Sequence, residues 1–99
     1  MSGTFTSDGN SEIIFASIVG VMYSGGLDGG TLTLKRLKAG GDEDNAAHWI
    51  TVQDSAKAAS YTVAASGDSF DLGGPTKVRL NLTGSTTPAT EYHLRGRMA

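Results

Sequence analysis

Gly29-Gly30-Thr31-Leu32-Thr33-Leu34-Lys35 and its echo Lys77-Val78-Arg79-Leu80-Asn81-Leu82-Thr83 decide the fold class of this chain. Both alternate apolar with polar residues. Successive side chains of a strand point to opposite faces. Leu32 and Leu34 therefore share one face while Thr31, Thr33 and Lys35 share the other, and Val78, Leu80 and Leu82 separate in the same way from Lys77, Arg79 and Asn81. A dry face backed by a wet one points to antiparallel sheet.

The surrounding segments read in the same terms. Gly3-Thr4-Phe5-Thr6 is a short strand, and Asp8-Gly9 supplies a tight turn for a hairpin into residues 12–15. The apolar run from Ile13 to Tyr23 is rich in β-branched residues, and Gly20 weakens a helix by about 1 kcal/mol, so it reads as strands, with breaks at Ala16-Ser17 and Gly20. A glycine turn at residues 24–29 leads into the Thr31 strand, and residues 37–45 form a polar loop. His48-Trp49-Ile50-Thr51-Val52 alternates again, with Ile50 and Val52 inward and Trp49 and Thr51 opposite, Trp49 covering the core edge or standing at an interface.

Residues 54–60 are too short for an independent helix and read as a connector. Residues 61–63 and 69–72 pair as a hairpin around Ser66-Gly67-Asp68. Gly73-Gly74-Pro75 breaks the chain before the Lys77 strand, and residues 91–95 form the last strand, with Tyr92 and Leu94 inward. About eight or nine short antiparallel strands, with turn signals every eight to twelve residues, predict an all-β domain over residues 1–99, a β-sandwich of jelly-roll or immunoglobulin-like type. Its core is expected from Phe5, Phe15, Leu32, Leu34, Ile50, Val52, Val63, Phe70, Leu72, Leu80, Leu82 and Leu94.

Composition bounds the function. The 99 residues suit one domain whose expected stability is about 5–10 kcal/mol, leaving little surplus for strain. A net charge of −2 provides no basic field for nucleic acid or anionic membrane, and neither partner is expected. With no cysteine, disulfides and thiolate chemistry are out of reach. Met1-Ser2-Gly3-Thr4 lacks the basic start and apolar run of a signal peptide, so the product is expected to be made in the cytoplasm.

Few groups suit catalysis. His48 and His93 are the two histidines, neither within a metal-binding spacing, and no phosphate-binding glycine motif occurs. Asp42-Glu43-Asp44 lacks the spacing of a calcium loop and reads as a solvated acidic loop. No catalytic residue, metal or cofactor is expected. Lys77, Arg79, Arg95 and Arg97 lie on the polar faces of the last two strands, where they solubilise the domain or, if those strands are neighbours, form a docking patch for acidic residues of another protein. Trp49, Tyr23 and Tyr92 are candidate anchors of the same surface.

The order of these elements resembles a known family. Gly-Thr-Phe-Thr at the start, apolar strands ending in Tyr23-Ser24-Gly25, Gly30-Thr31-Leu32-Thr33-Leu34, Trp49 before Ile50-Thr51-Val52, Phe70 near a turn, and Val78-Arg79-Leu80-Asn81-Leu82-Thr83-Gly84 together resemble the small β-sandwich virion proteins of tailed bacteriophages. Where such proteins carry an Asp-Gly-Gly-x-x-Trp turn, this chain has a longer loop through Gly41-Asp42-Glu43-Asp44-Asn45.

The resemblance implies a non-enzymatic capsid decoration or cement protein, located on the virion surface. Its partners would be the major capsid protein of the assembled head and copies of itself, as a dimer or trimer at symmetry axes. A head–tail joining or tail component, a carbohydrate-binding module with exposed aromatics such as Trp49 and Tyr23, and a small hydrolase using His48 or His93 in a deep pocket are the alternatives. Thr4, Phe5, Thr6, Trp49, Arg79, Tyr92, Arg95 and Arg97 are the candidate interface residues, the terminal strands offering an edge for strand addition.

Overall fold

The computed structural model describes residues 1–53 and 57–98. Among the described residues eight strands make it an all-β protein: β1 (Ser2–Phe5), β2 (Gly9–Asn10), β3 (Ile14–Ser24), β4 (Thr31–Leu37), β5 (Trp49–Thr51), β6 (Ser60–Tyr61), β7 (Ser66–Thr83) and β8 (Thr90–Arg97), with one 3-10 turn at Ala46–His48. Every pairing is antiparallel, in the order β1-β8-β3-β7-β4-β5, with β2 added to β7 and β6 to β4. The two layers of the sandwich are one continuous sheet folded over on itself. Val19, Val21, Phe70 and Leu94 from one half and Leu32, Leu34, Leu80 and Leu82 from the other meet in a single buried cluster. The expected connector over residues 54–60 falls partly on Asp54, Ser55 and Ala56, which lie outside the described residues.

The fold-over is built into β3 and β7. β7 runs 18 residues without the predicted break. Its residues 66–71 pair with β3 residues 18–23, and residues 76–78 pair with β3 residues 14–16, so Leu72, Gly73, Gly74 and Pro75 stand opposite the single residue Ser17. This bulge lets the strand bend, with Gly73 at φ +77°. Backbone groups freed there find partners: Arg36 Nη1 donates to the Leu72 carbonyl at 3.1 Å and the Gly73 amide to Asp71 Oδ1 at 2.9 Å, while beside the bulge Thr76 Oγ1 donates to the Leu37 carbonyl of β4 at 3.1 Å. The run from Ile13 to Tyr23 is likewise one bulged strand rather than two.

Both predicted hairpins are replaced by long-range pairings. β1 joins β8, and the Asp8 turn is tied across the molecule, its carboxylate accepting from the Gly84 and Ser85 amides at 3.0 Å each and from the Ser85 hydroxyl. Residues 66–71 pair with β3 instead of residues 61–63, with Phe70 opposite Val19, Asp68 opposite Val21 and Ser66 opposite Tyr23. Three expected core residues face solvent: Phe15 and Ile50 stand on outward positions, and Val63 lies on the loop after β6, at 61%, 51% and 57% exposure. The other nine residues of the expected core are buried.

Gly25 closes the turn after β3 with φ +89°, and a Cβ placed there would lie 2.4 Å from the Ala89 carbonyl oxygen. Left-handed strain and a backbone clash act together, so Gly25→Ala is expected to lower stability by about 2–4 kcal/mol in urea unfolding.

Candidate interaction surface

Alternation fixes which side chains leave the sheet. In β3, Val19, Val21 and Tyr23 point into the core, which turns Ile18, Gly20, Met22 and Ser24 outward. Their partners on β8 are Arg97, Arg95, His93 and Glu91 in that order, and on β7 Asp71, Ser69 and Gly67 face Ile18, Gly20 and Met22. β1 extends the same face with Ser2 opposite His93 and Thr4 opposite Glu91.

A groove of about 810 Å³ crosses this face, lined by Ser2, Thr4, Met22, Ser24, Gly67 and Glu91 among others. A second, of about 350 Å³, runs on past Gly20, His93 and Arg95. Met22, 60% exposed, stands between the two. The hollows follow from small residues: where neighbouring strands carry serine and glycine, nothing fills the space beside the methionine. Arg95, Arg97 and Glu91 are exposed and make no ion pair among the described residues, where the two carboxylate–ammonium pairs are Lys57–Asp68 and Lys77–Glu43.

The expected interface residues divide between two places. Thr4, Arg95 and Arg97 share the grooved face, and Thr6 is exposed just beyond β1. Phe5 turns inward, 6% exposed, its ring 4.9 Å from that of the half-buried Tyr92, so the pair supports β1 from beneath. Trp49 and Arg79 lie on the other half of the sheet, where the Arg79 guanidinium sits 4.0 Å from the centre of the indole ring. Trp49 is 5% exposed and donates from Nε1 to the Glu43 carbonyl at 3.0 Å, which seats it under the acidic loop as a structural cover. Burial holds the Arg79 pKa below the ordinary arginine value, with Glu43 opposing the shift.

The basic patch expected from Lys77, Arg79, Arg95 and Arg97 divides accordingly, because β3 lies between β8 and β7 and Lys77 is engaged by Glu43. Met22, Gly20, Gly67 and Glu91 were not singled out by the sequence as surface residues. The inward phase of Val19, Val21 and Tyr23 was the signal that places Met22 outside.

Other polar groups serve the fold or stand open to water. Ser2 Oγ and His93 Nδ1 are 2.6 Å apart on the exposed face, and Glu91, two residues along the strand and roughly 7 Å away, is not bonded to the imidazole. His48 Nδ1 accepts from the Asp42 amide at 2.9 Å, and Asp42 Oδ1 from the Asp44 amide, so loop groups bind one another. Among the described residues no three acidic, histidine or cysteine side chains converge as a metal site. Tyr23 and Trp49, the pair that would mark a sugar-binding surface, are both buried.

Asp68 ties β7 to the segment before it, accepting from Lys57 Nζ at 2.5 Å and the Tyr61 hydroxyl at 2.7 Å. These donors hold its carboxyl below the ordinary aspartate value, as the Ser85 hydroxyl and amide do for Asp8. A folded-state pKa below the unfolded one adds stability that is present above about pH 4 and lost as pH falls through the folded value. The melting temperature is therefore expected to fall on acidification below about pH 4, and Asp68→Asn to flatten that limb. An unchanged acid limb in the variant would assign the loss to other carboxylates.

No family model matches the chain, and neither does any curated protein or solved structure.

Proposed function

We propose that this protein is a non-enzymatic structural component of a tailed-phage virion, a decoration or cement protein that docks on the assembled head and stabilises it. The observation that carries the docking mode is the outer edge of β1. Ser2–Phe5 is bonded to β8 on one side only and ends the sheet, so its other row of backbone groups is available to an added strand. That edge is preformed. The Met1 amine donates to the Leu94 carbonyl at 2.8 Å, and the Leu94 amide returns a bond to the Met1 carbonyl at 2.7 Å, so no ordering cost falls on the terminus at docking. β8, the other terminal strand, lies between β1 and β3 and offers an open edge only beyond Leu94.

A protein that binds only the assembled shell stabilises it by mass action, and many weak copies act together. The test is co-sedimentation with assembled heads and with unassembled shell protein. Saturable binding to assembled heads alone, abolished by Thr4→Pro on the edge strand, is the expected result. Binding to neither form overturns the head reading.

A further inference from the structure

The outward face of β8 and β3 is self-complementary, and we propose that it pairs two copies of this chain face to face. Along β8 the outward side chains run Glu91, His93, Arg95, Arg97, so one strand carries a negative charge at one end and positive charges at the other. The register sets Met22 of β3 beside His93, midway between Glu91 and Arg95. A two-fold axis lying in the interface, across the strands at that midpoint, reverses strand direction and places each Glu91 opposite Arg95 of the other copy. The same rotation brings the two Met22 side chains together.

Three observations favour this occupant over an unrelated one. The charges it would pair are those left without ion-pair partners among the described residues. The central methionine is 60% exposed and flanked by the two grooves, so each copy presents an adaptable apolar knob beside hollows that the other copy's knob can enter. The hollows persist because Gly20 and Gly67 carry no side chain. A Cβ at Gly67 would stand 3.2 Å from Met22 Cγ, so even alanine there crowds the methionine. Antiparallel sheets stack in this manner about 10 Å apart with side chains interdigitated, and an isologous contact closes as a dimer. The inference concerns the isolated protein and does not depend on the virion reading.

Sedimentation equilibrium over about 1–200 μM tests it, with Arg95→Glu, Glu91→Arg and the double variant measured beside the parent. The parent is expected to dimerise. Each single reversal sets like charges opposite one another and should weaken association about tenfold or more. The double variant restores opposite charges and should recover the dimer. Because the altered residues are exposed, near-parental melting temperatures are expected for all three. A parent that stays monomeric at the highest concentration, single variants that dimerise like the parent, or a double variant that stays dissociated each overturn the pairing.

Discussion

Leu80→Ala should be among the most destabilising single truncations in this protein, lowering the unfolding free energy by about 2–5 kcal/mol. Leu80 is fully buried, sits opposite Leu34 across the β4–β7 ladder, and belongs to the part of β7 where both layers of the sandwich touch. Truncation removes its transfer energy and leaves a cavity that the paired strands cannot collapse into, because Leu80 is also locked by its backbone: its amide donates to Ser11 Oγ at 2.8 Å and its carbonyl accepts from the Ser11 amide at 2.9 Å. Against a total of about 5–10 kcal/mol, a loss of that size lowers the melting temperature by roughly 10–25 °C. Ile50→Ala is the internal comparison, since Ile50 also belongs to an alternating strand but is 51% exposed. Its expected cost is under about 1 kcal/mol. Equal costs in thermal unfolding would refute the assignment of the two residues to opposite faces.

That comparison marks where the sequence was informative. Leu32, Leu34, Leu80 and Leu82 were legible because each lies in a run of strict alternation long enough to fix the phase, and all four are fully buried. Ile50 was misread from a run too short to fix it: Val52, the inward residue, lies just past the end of β5 and bonds to Leu34 by its amide, so the alternation does not carry back to Ile50. Phe15 was misread because the bulge at Ser17 shifts the phase of β3, and a bulge is a property of two strands together. The hairpins failed for a related reason. A turn sequence such as Asp8-Gly9 states that the chain bends there but not which strand receives the next segment, and here the receivers are 70 or more residues away. The grooved face depends on the same long-range register, which sets glycine and serine beside Met22, so its elements were visible singly and their juxtaposition was not.

Trp49→Ala is the second large effect, expected at about 3–5 kcal/mol, and it separates a structural from an exposed role for this residue. The indole covers the outward side of the β4–β7 half rather than the main core. It stacks on the Arg79 guanidinium, its backbone pairs with Leu37, and Nε1 reaches the Glu43 carbonyl, while the Glu43 carboxylate engages Lys77. A tryptophan of this kind buries about 150–250 Å² and joins a loop to a sheet. Removing it exposes the Arg79 stem and releases the acidic loop from its Nε1 anchor, leaving the Lys77–Glu43 pair to hold it alone.

Trp49→Phe keeps the ring face and loses the N–H donor, with an expected cost nearer 1–2 kcal/mol, and Arg79→Lys loses the planar stack for about 0.5–2 kcal/mol. Hydrogen exchange locates the damage. Amides that close the loop, those of Gly41, Asn45 and His48, bond to Lys38, Asp42 and Asn45 carbonyls. They should lose protection in Trp49→Ala beyond the global loss, while those of Val19 and Val21 follow global unfolding. A Trp49→Ala protein with unchanged loop protection and a cost below about 1 kcal/mol would show that the indole covers nothing the fold requires, and would return it to the list of residues free to meet a partner.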